Sequence, residues 1–483
     1  MSRIVVGPFN RVEGDLEIKL DTDQGQVTAA RVNSPLFRGF ERIMQGQEPM
    51  DALVYTPRIC GICSVSQSVA SARALADLMD LDMPLNGQLA TNLVLANENM
   101  TDLLTHFYLF FMPDFARGIY SNEPWFDLVE SRFKAQKGSA AKVMLPARSE
   151  FLHLMGIMAG KWPHSLSLQP GGSAKPIEAQ ERIRLLAILA SFRKFLEQTL
   201  FGDDLEAISE LGSWNDLQNW RDKHDWQHSD FTRFLHLSDQ LNLSTLGRAT
   251  DQFLSYGNYP DPQGGLFKAG ASFAGAVTDF DQKGITEDLA YSWMQNANGP
   301  VHPAAGNTEP SLDNEAAYSW CKAPRLNRQV MEVGALARQL INGHPLAADL
   351  VSRNGANVES RIIARLLELA IVVPQMQSWI KQLKPGEPFC AHEKIPKEGQ
   401  GVGMVEAARG SLGHWLEVKK GKISNYQIIA PTTWNFSPRD EQGVPGALEQ
   451  ALEGAPVREG EKDPVAVQHI VRSFDPCMVC TVH

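Results

Sequence analysis

Apolar and polar positions divide the chain into a stranded start, a run of helices and a stranded segment near the end. Ile4 to Val6 are apolar, Leu16 to Leu20 alternate as Leu-Glu-Ile-Lys-Leu, and the turn Asp21-Thr-Asp-Gln-Gly25 leads into Val27 to Val32, a pattern of paired strands. From Gly61 the period changes. Val65, Val69, Ala72, Leu75, Ala76 and Met79 recur at mostly three- and four-residue steps, which predicts a helix. A long helix follows over about Asn86 to Met112, apolar on most of its circumference and therefore expected in a bundle core. Pro176 to Phe201 reads as another helix, with Pro176 near its first turn and Ile183, Leu186, Ala190 and Leu196 along it. Arg325 to Leu350 and Val358 to Leu383 form a further pair, the second kinked at Pro374. Asn215 to Pro310, rich in Gly, Pro, Asn and Asp, reads as irregular or short-stranded. His414 to Lys419 and Ile423 to Ile429 flank Lys420-Gly421, a hairpin signal. With no internal repeat, low-complexity tract or linker, the expectation is one α+β, helix-dominated domain over residues 1–483, in which long buried helices form a bundle core with small peripheral β elements.

Charge narrows the possible partners. The 56 acidic residues exceed the 45 Lys and Arg, for a formal charge of −11, which argues against a nucleic-acid binder that relies on neutralising phosphates. At 43% hydrophobic and 21% charged residues, the 483-residue chain fits neither disorder nor a fibre. No apolar run approaches the roughly 18 residues of a membrane helix, and the N-terminus lacks a basic-then-apolar signal, so no direct membrane insertion is expected.

Six cysteines, Cys60, Cys63, Cys321, Cys390, Cys477 and Cys480, are too few in a chain this long for a secreted disulfide framework. Cys321 and Cys390 stand alone and read as small buried hydrophobes. The other four form two Cys-x-x-Cys pairs, a supply of soft thiolates suited to zinc, iron–sulfur clusters, copper(I) or nickel and iron centres. A structural zinc site usually spaces its pairs more closely, and a thioredoxin-type motif would need only one. The first pair, in Arg58-Ile-Cys-Gly-Ile-Cys63, opens a helix whose N-terminal dipole favours thiolate. The second, in Asp475-Pro-Cys-Met-Val-Cys-Thr-Val-His483, ends on a potential metal ligand.

These two motifs resemble those of the large subunit of nickel–iron hydrogenases. Further segments resemble that family in the same order: Arg11-Val-Glu-Gly14, Phe37-Arg-Gly-Phe-Glu41, the stretch Asp102 to Tyr108, Pro170-Gly-Gly172, Glu406-Ala-Ala-Arg-Gly410 and Pro431-Thr-Thr-Trp-Asn435. The resemblance implies heterolytic cleavage of dihydrogen at a nickel–iron centre whose iron carries cyanide and carbon monoxide. It implies that Cys60, Cys63, Cys477 and Cys480 bind nickel, with Cys63 and Cys480 also bridging to iron. Glu13 would relay protons to and from the Cys477 sulfur. Arg409, oriented by Asp102, would project over the open metal position, and Thr432 would donate to a cyanide. Glu41, the carbonyl of Ile428 and His483 would hold magnesium. Electrons would leave through an iron–sulfur small subunit, and maturation proteins would insert the centre.

Three positions depart from the family's commonest pattern. Asp15 and Gln67 stand where histidine is usual, and Ala408 where proline is usual. Gln67 still donates a hydrogen bond toward a cysteine sulfur but cannot titrate near neutral pH. Ile62 and Phe110 are bulkier than the residues that line the gas route in many relatives. Together with Gln67 they resemble the dihydrogen-sensing, regulatory subgroup: cytoplasmic, slow in turnover and coupled to a histidine kinase. A C-terminus at His483 fits either a processed chain or one made without an extension. The alternatives are a respiratory uptake hydrogenase and, in another class, a zinc-holding structural or assembly protein derived from the family.

Overall fold

The computed structural model describes residues 2–262, 264–296 and 299–483. Strands β1 (Ser2–Val6), β2 (Glu17–Asp23) and β3 (Gln26–Asn33) form an antiparallel sheet in that order. Ile18, Leu20, Val27, Ala30 and Val32 point into the core. The β2–β3 turn is tighter than expected. Gln24 (φ 47°) and Gly25 (φ 78°) make it alone, both left-handed, which matches the twist of a two-residue hairpin.

Helix α1 (Ser64–Met79) starts immediately after Cys63. Helix α2 (Leu85–Thr105) is buried on nearly every face and widens into a π-helical turn over His106–Phe111. The next predicted helix starts later than expected, as α3 (Ala179–Phe195). Glu178 and Glu181 cap it reciprocally, with the Glu178 N–H donating to Glu181 at 2.9 Å, so Pro176 lies outside the first turn. Its buried face is Leu185, Leu189 and Phe192, and Ile183 is 68% exposed.

Two expectations fail further along. The Asn215–Pro310 stretch holds two helices, Trp214–Arg221 and Asp230–Leu241, before its strands. Each is capped by a serine: Ser213 accepts from the Asp216 N–H and Ser229 from the Thr232 N–H. Arg325 to Leu350 is not one helix. Arg325 lies in the strand Ala323–Leu326, and the rest splits into Ala335–Ile341 and Pro345–Asn354 around Gly343 (φ 81°) and Pro345. A left-handed glycine ends the first piece and a proline starts the second. By contrast α4 (Val358–Gln382) runs unbroken through Pro374 and packs against α2.

Strands β4 (Gly399–Ala407), β5 (Gly410–Lys419) and β6 (Lys422–Ile429) form a second antiparallel sheet, with the expected hairpin between β5 and β6. Helix α1 lies directly on β4, and two glycines admit it. A Cβ at Gly401 would meet the Ala74 carbonyl oxygen at 2.0 Å, and one at Gly403 would meet that of Ala70 at 1.9 Å. Helix α5 (Val465–Ser473) then delivers the C-terminal segment into the core. That core joins Leu75 of α1, Leu93 of α2, Leu189 of α3 and Leu366 of α4 with the four paired cysteines.

Candidate metal centre

The two Cys-x-x-Cys segments meet although 417 residues separate their equivalent positions. The Cys60 and Cys477 sulfurs are 3.5 Å apart, Cys63 and Cys480 3.0 Å, and Cys477 and Cys480 3.2 Å. All four sulfurs lie within 4.8 Å of one another, buried and in no disulfide. Backbone clips hold the segments together. The Met478 N–H donates to the Glu13 carbonyl at 2.7 Å, and Glu13 pairs with Cys477 in a parallel bridge. Arg38 ties both loops, donating to the Ile59 carbonyl at 2.6 Å and to that of Val479.

Four buried sulfurs at these distances cannot all be anionic without a cation among them. Hydrogen bonds from neighbouring thiols lower Cys60 well below the ordinary thiol range. Hydrogen bonding to Cys477, Cys480 and Cys60 raises Cys63, and burial raises Cys480. Soft, converging sulfur donors with this charge demand fit a thiophilic metal centre. Cys321, by contrast, is buried alone, and burial pushes its thiol out of reach of ionisation.

The predicted acid–base and charged residues gather around the sulfurs. Glu13 is half-buried, and burial followed by the charge on Cys60 raises its carboxyl above the usual range. Arg409 donates to Asp102 with both terminal nitrogens, one of them at 3.1 Å. It also binds Asp475, through Nε to the carbonyl at 2.9 Å and through a terminal nitrogen to the carboxylate at 3.2 Å. Burial works against ionisation of Asp475, but Arg409, His106 and Arg365 outweigh it and lower the group. The sequence assigns Asp475 no role beyond flanking the second motif, and only the fold brings it to Arg409 as the other half of the clamp. Thr432 accepts from the Cys477 N–H at 3.1 Å, which leaves its own hydroxyl proton free to donate. The Ala408 carbonyl accepts from Arg338 at 3.0 Å, which pins the backbone beside Arg409.

Sequence reading also missed Glu98. This buried carboxylate of α2 accepts the Val65 and Ser66 N–H groups at 2.9 Å each, the Trp162 indole N–H at 2.9 Å and the hydroxyls of Ser64 and Ser66. It caps the N-terminus of α1 from another helix and so holds the segment that presents Cys63. Burial raises it to about 7. A buried acid on an apolar helix was the available signal.

Gln67 is buried on α1, and its amide oxygen accepts from His414 Nε2 at 2.8 Å while its amide nitrogen has no partner. Asp15 is exposed, and Ile62 is only partly buried against the core. Phe110 lies half-buried in the π-helical turn after α2.

The predicted hard-cation residues also converge. Glu41 Oε1 accepts the Ile428 N–H at 2.8 Å and lies 3.4 Å from His483 Nε2, while His483 Nδ1 contacts the Cys480 carbonyl at 2.9 Å. It is the Ile428 N–H, not its carbonyl, that meets Glu41 here. Lys322 was not foreseen. Its ammonium is 3.2 Å from Glu41, 3.5 Å from Glu287, 3.0 Å from Thr308 and 2.7 Å from Gln427. Burial opposes ionisation of Glu41, yet Lys322 and His483 bring it down to about 2. This second group is oxygen-rich where the first is all sulfur.

Comparison with known proteins gives the same architecture. The "Nickel-dependent hydrogenase" family matches residues 38–119 and 143–483. The periplasmic [NiFeSe] hydrogenase large subunit of Desulfomicrobium baculatum is 29% identical, covering 100% of this chain and 95% of its own length. The uptake hydrogenase large subunit of Azotobacter chroococcum mcd 1 is also 29% identical, with the same coverage. The solved [NiFeSe] hydrogenase of D. vulgaris Hildenborough in its reduced state superposes with a TM-score of 0.84 at 28% identity, over the full length of both chains.

Proposed function

Because the chain belongs to the nickel-dependent hydrogenase family and is an oxidoreductase, we propose that it is the single-domain subunit that cleaves dihydrogen and passes electrons to an iron–sulfur small subunit. The gathering of four buried sulfurs from two distant Cys-x-x-Cys segments carries this reading. When bound, a nickel–iron centre with cyanide and carbon monoxide on its iron supplies the redox chemistry of heterolytic dihydrogen cleavage.

The chain's own residues do the rest. Cys60, Cys63, Cys477 and Cys480 would hold the centre, and a cation there would relieve the repulsion among their thiolates. Cys477 would take up a proton at sulfur and hand it to Glu13, whose proton affinity burial and the charge on Cys60 raise above that of a free carboxylate. Arg409, braced by Asp102 and Asp475, presents a fixed cationic edge to the site. The Thr432 hydroxyl and the Gln67 amide donate toward ligands and sulfur. Glu41 and His483 would hold magnesium, with Lys322 sharing the charge of Glu41.

The sensing role rests on Gln67, Ile62 and Phe110, and under it the protein works in the cytoplasm, acquires its centre from maturation proteins and reports to a histidine kinase. An uptake role is the second reading, favoured by the similarity to a protein named as an uptake hydrogenase. Infrared spectroscopy in the triple-bond region, with nickel, iron and zinc quantified on the same sample, tests the shared core. Carbonyl and cyanide bands with equal nickel and iron support it, and zinc without such bands overturns it in favour of a structural protein. Slow turnover and co-purification with a kinase distinguish sensing from uptake.

A further inference from the structure

Gln67 is 1% exposed, yet its amide nitrogen is unpartnered while its oxygen is engaged by His414. An amide oxygen only accepts, so the ring nitrogen facing it carries the proton. His414 Nδ1 is then bare and accepts a hydrogen bond from the Tyr426 hydroxyl, 2.8 Å away. Burial pushes His414 down to about 3, so the ring is neutral and has one N–H to place. Gln67 also sits one helical turn after Cys63, with its N–H donating to the Cys63 carbonyl at 3.1 Å. Side chains at that spacing share a helix face and lean toward the helix N-terminus, so the amide overlies the turn carrying Cys63. Helix α1 reaches this sheet because Gly401 and Gly403 let it seat on β4.

We propose that Tyr426 and His414 are positioning residues: a one-directional hydrogen-bond chain from β6 through β5 to α1 holds Gln67 with its amide N–H2 toward the sulfurs of the cysteine site. This rests on the reading of those sulfurs as metal-bound thiolates. A thiolate accepts from an N–H and repels an amide oxygen, so the direction of the chain decides whether Gln67 stabilises the thiolate or opposes it. Reversing the amide would require the other His414 tautomer, with Nδ1–H donating to Tyr426. The Tyr426 hydroxyl therefore acts on the sulfurs without touching them.

The test uses the metal-loaded complex with its small subunit. Tyr426→Phe shifts the infrared carbonyl and cyanide bands in the same direction as Gln67→Leu, and adds no further shift when both changes are combined. Nitrogen-15 correlation of labelled histidine rings, with His414 identified by loss of its signal in His414→Gln, shows the Nε2–H tautomer. An Nδ1–H tautomer, an unshifted Tyr426→Phe spectrum or additive band shifts would each overturn the proposal. Wild-type protein that holds zinc and shows no carbonyl or cyanide bands would instead overturn the nickel–iron reading, and the ring tautomer would still decide the direction of the chain.

Discussion

Arg409 grips the carboxylate of Asp102 with both terminal nitrogens, joining positions 307 residues apart beside the sulfur cluster. The same guanidinium also binds Asp475, two residues before Cys477. Such a fork needs planar geometry as well as charge. Arg409→Lys keeps the charge and loses the two-sided grip, and is expected to lower hydrogen–deuterium exchange by about 10²-fold. Exchange per bound nickel measures this, and an unchanged rate would show that charge alone suffices.

Glu13 is fastened by its backbone to Cys477 and has a raised proton affinity. In Glu13→Gln the backbone clip survives and the transferable proton does not. Exchange should fall about 10²- to 10⁴-fold with metal content unchanged. Full activity in a metal-replete variant would remove Glu13 from the proton route.

The six cysteines should divide into two groups. Serine at Cys60, Cys63, Cys477 or Cys480 is expected to abolish nickel binding, because hydroxyl oxygen is a poor ligand for a soft site. Alanine at Cys321 or Cys390 should leave nickel content intact. Elemental analysis of the purified variants checks both halves.

Gly403→Ala puts a methyl group 1.9 Å from the Ala70 carbonyl oxygen, so α1 must move off β4. Destabilisation on the order of 3 kcal/mol follows from overpacking against backbone that cannot step aside. Nickel content should fall as well, since α1 positions Cys63. A thermal midpoint equal to that of the wild type would contradict the close seating.

Glu449 gives a pH dependence remote from the metal site. Burial raises it from 4.5 to about 7 while it accepts from the Val32 N–H and the Tyr318 hydroxyl. The folded chain therefore binds this proton more tightly than the unfolded chain. The resulting stability is fully present below pH 4.5 and is lost as pH rises through 7, by about 3 kcal/mol. The midpoint of Glu449→Gln should fall less between pH 5 and 8 than that of the wild type, and parallel profiles would refute the shift.

Much of this molecule is legible along the chain. Period-two alternation marks β2, the Lys420-Gly421 turn marks the β5–β6 hairpin, three- and four-residue spacing marks α1, and an apolar circumference marks α2, because each has a face or a circumference that must be buried. The paired cysteines were readable from their residue type and spacing, and Glu13, Asp102, Arg409 and Thr432 only through the resemblance of their segments to nickel–iron hydrogenases. Boundaries set by capping were misread. Ser213 and Ser229 start helices inside a stretch rich in turn formers, and Glu178 overrides Pro176. Only the folded chain places Glu98 under the α1 N-terminus, Arg38 across both cysteine loops, Lys322 beside Glu41 and His414 behind Gln67. Local pattern records what one segment must bury. Each of these contacts instead joins residues distant along the chain, and no period or spacing reveals which buried polar groups will share one small volume.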